Sequence, residues 1–343
     1  MFRRRWRWLV AAILLVSLAG DVPAQSQATP YQYIRAGNTA DAIGVTPRGG
    51  YALMGGGTDL DEAFQWLCDR ASGGDLLVLR AHGTDAYNPY IQKLCKMNSV
   101  ATLILPSREA AMDPFAAKKI NTASVLFIAG GDQANYINFW MGTPVQTALN
   151  DAIHRGVPIG GTSAGLAVLG EYAYSAQGDK PDDKDLDSKT VLANPFHPRV
   201  ILVHGFLTIP TLQNIITDSH FVKRDRMGRL IGFLARLNAE DKRPLDERRT
   251  GIRGIGIDER TAILLKPDGS GIVVGKGSAY LVQLTGDSVL TPGKPLTQRE
   301  VWVQKLAPDD TVDLYVWQGG KRRFMLSVES GALSPPQHNG SYE

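Results

Sequence analysis

From Gly50 to Gly165 the chain alternates short, continuously apolar runs with stretches whose apolar residues recur at helical spacing. Apolar runs at 51–54, 75–80, 101–105, 124–129 and 157–160 read as strands, that at 75–80 buried on both faces. Between them, residues 60–71, 89–97, 108–121, 133–141 and 144–155 read as helices, the third interrupted at Pro114 and the last opening on Pro144. Such alternation restricts the chain to an α/β fold: a doubly wound, mostly parallel sheet sandwiched by helices. Sheets of this kind place their sites at the C-terminal ends of strands. Three glycine-rich segments fall there: Gly55-Gly56-Gly57, Gly130-Gly131 and Gly160 to Gly165.

The second half reads differently. A charged loop covers 179–187, a strand 200–207 and a long helix 222–237. Several short strands follow over 254–284 and 301–328, so the sheet fold carries extra C-terminal strands. Residues 25–48 are polar and read as an N-terminal arm, 49–332 as a single α/β domain, and 333–343 as a frayed tail.

The first 24 residues have an export layout: Arg3, Arg4, Arg5 and Arg7, then an apolar run of 11 residues from Leu9 to Ala19, then Val22-Pro23-Ala24. The run is too short to span a bilayer, which takes about 20 residues. Cleavage after Ala24 would place the protein in the periplasm or outside the cell, with no membrane attachment; an uncleaved anchor is the other reading. The formal charge of +3 belongs to this segment, and the remaining chain is neutral. That gives no basis for nucleic-acid or anionic-membrane binding. In an oxidising compartment Cys68 and Cys95 could pair; buried free thiols are the other reading, and sequence leaves both open. Two cysteines cannot build a four-thiolate metal site, and no cofactor is implied.

Gly161-Thr162-Ser163-Ala164-Gly165 fits the nucleophile elbow, a sharp strand-to-helix turn that exposes a serine hydroxyl. The following N–H lies at a helix start, where a developing oxyanion is stabilised. A serine nucleophile needs a base. Of six histidines, His338 is in the tail, His154 ends a helix and His197 is in a loop. His82 ends a strand, and His204 reads as a core residue within an apolar strand. His220 sits at a strand end just before a helix and leads. Asp258 and Glu259 both follow the apolar run 255–257 and could orient it, and Asp179 is a weaker third candidate. The order Ser, His, acid departs from the Ser, acid, His order of α/β-hydrolases.

Five segments together resemble the cyanophycinases of the peptidase E-like group of serine peptidases. They are Met54-Gly55-Gly56-Gly57, residues 127–133 (FIAGGDQ), 160–165 (GGTSAG), 218–230 (DSHFVKRDRMGRL) and 254–262 (GIGIDERTA). The resemblance spans about residues 48–285 and implies a class I glutamine amidotransferase-like fold. It implies Ser163 as nucleophile, His220 as base, Glu259 as its orienter, and the N–H groups of Gly56 and Ala164 as oxyanion hole. Gln133, Thr162, Asp218, Ser219, Arg226 and Arg229 would form the substrate subsite. Two guanidinium groups suit a substrate rich in aspartyl carboxylates, although Arg229 could also form a local pair with Asp225. The chain departs from the family at Ser219, where a glutamine is usual, and in the expanded loop around 179–187.

The expected activity is hydrolysis of cyanophycin to β-Asp-Arg dipeptides. An aspartyl or isoaspartyl dipeptidase, a non-hydrolytic binding homologue and a lipase-like esterase are the alternatives. The charged loop after Ser163 disfavours the esterase, which would need an apolar lid. Monomer and homodimer are both open.

Overall fold

The structure, a computed structural model, describes residues 29–180, 183–243 and 251–335. The export segment and the tail beyond residue 335, with His338, lie outside the described residues.

The parallel sheet is present, centred on five strands: β2 (Tyr51–Met54), β3 (Asp75–Arg80), β4 (Ser99–Ile104), β5 (Val125–Ile128) and β6 (Ile159–Thr162). Their spatial order is β4-β3-β5-β6-β2, parallel throughout. The connecting helices are α1 (Asp61–Arg70), α2 (Tyr87–Leu94), α3 (Arg108–Met112), α4 (Pro114–Thr122), α5 (Gln133–Trp140) and α6 (Pro144–His154). The break at Pro114 separates α3 from α4, with Asp113 accepting from the Phe115 N–H as N-cap. Alternate strand residues serve opposite faces. Leu53, Leu77 and Leu79 pack towards α3–α6, while Ala52, Met54 and Val78 pack towards α1 and α2.

Two departures enlarge this picture. The polar arm contributes a strand, β1 (Gln32–Gly37), antiparallel to β4 at the sheet edge. Its cohesion is largely polar: buried Asp75 accepts from Arg35, Asn98, Ser99 and the Ala42 N–H. Hydrophobic periodicity carries no trace of such a network. The second half also forms its own sheet rather than only extending the first. In chain order it uses β7 (Tyr172–Tyr174), β8 (Leu202–His204), β9 (Ile215–Asp218) and β10 (Arg253–Ile257). β11 (Thr261–Leu265) and β12 (Ser270–Gly275) return to the first sheet beside β2, and β13 (Ala279–Leu284) rejoins the second. The second sheet is mixed: β9 is parallel to β7 and β10, whereas β13 is antiparallel to β10.

One face of this second sheet shares the core of the first, through Ile215, Ile255 and Leu281. The other face, with Ile216 and Val282, packs on α8 (Ser188–Ala193) and α9 (Met227–Glu240). The α7 segment (Ala164–Ala167) fits between the sheets. The helix expected over 222–237 starts later, at Met227, because Asp225 adopts φ +47°.

Cys68 on α1 and Cys95 after α2 form a disulfide with Cα atoms 6.1 Å apart. The bridge closes a segment with a sequence separation of 27, which corresponds to about 3–4 kcal/mol of reduced unfolded-state entropy. Urea unfolding of Cys68→Ser/Cys95→Ser is therefore expected to show that loss of stability against the oxidised parent; equal midpoints would refute it.

Candidate active site

The site forms where strand ends from the two sheets meet. β2 delivers Gly55 and Gly56, β6 delivers Ser163, β9 leads to His220 and β10 to Glu259. Main-chain bonds fasten the junction. The His220 N–H donates to Gly55 O at 2.8 Å, Arg260 N–H to Gly56 O at 2.8 Å, and Ser163 N–H to Met54 O at 3.1 Å. Glycine is required here by proximity. A Cβ on Gly55 would lie 2.0 Å from Asp258 O, and one on Gly56, at φ +95°, would lie 2.6 Å from the His220 ring.

Ser163 has φ 55° and ψ −115°. This conformation is strained for a residue with a Cβ and is the expected signature of the elbow. Its Oγ lies 2.7 Å from His220 Nε2. On the far side of the ring, Nδ1 lies 2.7 Å from Glu259 Oε1. A proton on Nδ1 donates to the carboxylate and leaves Nε2 free to accept from the serine hydroxyl. Burial lowers the His220 pKa; the Glu259 hydrogen bond opposes this, while Arg224 adds to the lowering, leaving it below the ordinary histidine value. The hydrogen bond from His220 holds Glu259 below the usual carboxylate range.

A cavity of about 410 Å³ opens beside this row, lined by Gln133, Ser163, Ser219, His220, Arg226 and Arg229 among others. The arginines are buried against Asp218. Arg229 donates to both its carboxylate oxygens, at 2.8 and 2.6 Å, and Arg226 donates to Oδ1 at 3.3 Å. Burial acts to raise the Asp218 pKa, but Arg229 and Arg226 outweigh it and keep the carboxylate ionised.

Several expected placements are corrected. Asp218 is 3% exposed and sits beneath the arginines rather than on the cavity wall. Thr162 is buried at 4% and is likewise absent from that wall, because neighbours at a strand end point oppositely. Arg229 reaches Asp218 and not the local Asp225, which stands outside the helix. Asp258 accepts from the Val222 and Ser278 N–H groups, and Asp179 is held by Tyr174 and Arg199, so Glu259 is the acid facing His220. His204 is not core: it lies on the short strand β8, its side chain is 61% exposed, and it pairs with Glu171. His82 lies past the end of β3, exposed and against Phe139. Sequence reading missed Arg224 and Asp185, which also line the cavity. Only their charge runs were visible, and which charges meet is set by the second sheet. Among the described residues no group of three or more His, Cys, Asp or Glu could hold a metal ion.

The model of Peptidase family S51 matches residues 53–217, a span that includes Ser163 and ends short of His220 and Glu259. The cyanophycinase of Trichormus variabilis (strain ATCC 29413 / PCC 7937) is 30% identical over 224 residues, covering 63% of this chain and 65% of that protein. The cyanophycinase of Geminocystis herdmanii (strain PCC 6308) is 31% identical over 178 residues, covering 51% and 55%. The chain thus spans just under two thirds of the length of the first and little over half of the second. A solved peptidase from an acI-B1 Actinobacterium superposes with TM-score 0.50 at 18% identity, covering 78% of this chain and 98% of that one, a likeness of fold.

Proposed function

We propose, from the premise that the chain is a cyanophycinase-like member of the peptidase E group, that it is an exported serine-type peptidase hydrolysing cyanophycin to β-Asp-Arg dipeptides. The observation that carries the chemistry is the Ser163–His220–Glu259 row on a strained elbow. In this reading Ser163 Oγ attacks the peptide carbonyl and its proton passes to His220 Nε2. The oxyanion that forms is met by the N–H groups of Gly56 and Ala164, the latter at the start of α7. Collapse breaks the C–N bond, and His220 returns the proton to the departing amine. Water then cleaves the acyl-enzyme with His220 again accepting a proton. Glu259 stays ionised and holds the imidazole in the useful tautomer.

The substrate assignment draws on the relatives' names and on the arginines of the cavity wall. The disulfide suits an oxidising compartment and so favours export; N-terminal sequencing of exported material would read a start at Gln25. Incubation of the mature protein with insoluble cyanophycin tests the activity. Soluble products with the mass of β-Asp-Arg are expected, and an unchanged polymer alongside hydrolysed aspartyl dipeptides would move the assignment to the dipeptidase.

The pH profile follows from the histidine. Its neutral form accepts the proton, and its pKa lies below the ordinary value of about 6.5. The kcat/KM is therefore expected to rise with pH through a single acid limb centred below 6.5 and to level off by neutrality. A limb centred at or above 6.5 would contradict the buried setting of His220.

A further inference from the structure

The cavity wall holds a charge contact that the hydrolytic row does not use. Arg229 is committed internally: it pairs with Asp218 through two nitrogens, donates to Leu186 O at 3.0 Å, and lies over the rings of Tyr174 and Phe233. Arg226 is divided. Its Nη1 donates inward to Ser219 O at 2.8 Å, while Nη2 donates to Asp185 Oδ2 at 3.0 Å. The same Asp185 oxygen accepts from Arg224 Nη1 at 2.7 Å. One carboxylate oxygen thus bridges two guanidinium groups on the wall of the cavity. The two acids facing Arg226 differ sharply in access, with side-chain exposures of 5% for Asp218 and 54% for Asp185.

That difference separates their roles. Asp218 cannot leave without stranding a buried charge. Asp185 can, because water solvates it as it departs and an incoming carboxylate meets the same two guanidinium groups. Asp179, in the same loop, is not equivalent, since Arg199 and Tyr174 hold it elsewhere. Asp185 also lies in the loop 179–187, where this chain departs from its resemblance to the family.

We propose that Asp185 is a specificity-determining residue: its carboxylate occupies the Arg224–Arg226 cradle and must be displaced by a carboxylate of the substrate. Exchanging one carboxylate for another gains little by itself. A small free acid therefore binds poorly, whereas a chain carrying one carboxylate per repeating unit, on its arginyl residues, adds contacts along the cavity and wins the exchange. The proposal rests on reading this cavity as the substrate site.

Calorimetric titration of the mature Ser163→Ala protein, with and without Asp185→Asn, tests it without turnover. The ligands are succinate, its neutral diamide, argininamide and a short poly-aspartate. Asp185→Asn is expected to tighten succinate about tenfold, the scale of a charge-assisted hydrogen bond, and to leave the diamide unmoved. The preference for poly-aspartate over succinate should shrink accordingly. Succinate binding that is unchanged, weakened or absent in both proteins would overturn the proposal. Weaker argininamide binding in Asp185→Asn would overturn it differently, by making Asp185 a receptor for a cation. Failure of the wild type to degrade cyanophycin would count against the proposed activity and leave these binding results readable.

Discussion

Ser163→Ala is expected to lower kcat roughly a millionfold, to the residue of catalysis that binding and the oxyanion hole supply alone. In the proposed mechanism the side chain removed is the attacking group itself, so KM should change little if chemistry limits turnover. The fold should survive, because serine and alanine both carry a Cβ and the exchange adds no new backbone strain at φ 55°. Steady-state kinetics on cyanophycin, with circular dichroism as the control, decides the matter. Activity within a hundredfold of wild type in a clean preparation would remove Ser163 as nucleophile. His220→Ala should fall almost as far, and the double variant no further, since the two act as a unit.

Glu259→Gln carries the second largest effect, roughly ten-thousandfold in kcat. The amide keeps the shape but offers an N–H where His220 Nδ1–H needs an acceptor. The ring then tends towards the tautomer whose Nε2 carries the proton and cannot accept one from Ser163. A second readout separates this from a general loss of structure. The carboxylate hydrogen bond is what holds the His220 pKa up against burial, so the acid limb of the residual activity should move to lower pH. Loss of activity with the limb unmoved would assign Glu259 a structural role and leave His220 oriented by something else.

Much of this site was legible because catalytic groups in a doubly wound sheet follow apolar strand ends. Ser163, His220 and Glu259 each stand just past an apolar run, and that position can be read without a structure. The choice among Glu259, Asp258 and Asp179 could not be made that way. It depends on which side of a strand end each carboxylate faces and on partners such as Ser278 and Arg199, far away in sequence. Thr162 and Asp218 show the same limit. Each is one or two residues from a cavity-lining neighbour, yet both turn away from the cavity. The second sheet was legible only as a run of short strands, because β9 pairs with β10 and β7 through contacts no local pattern encodes. His204 was misplaced for a related reason: a few apolar neighbours look alike whether a strand is central or at an edge.

The stitching of Gly55 and Gly56 to His220 and Arg260 has a temporal consequence. Ser163 and His220 stand 57 positions apart, and His220 and Glu259 another 39, on two different sheets. Such long-range contacts close late in folding, after the entropy of large loops has been overcome. A chain still being synthesised therefore has Ser163 without His220 beside it. On the proposed mechanism, reactivity therefore waits until the two sheets bring Ser163 and His220 together.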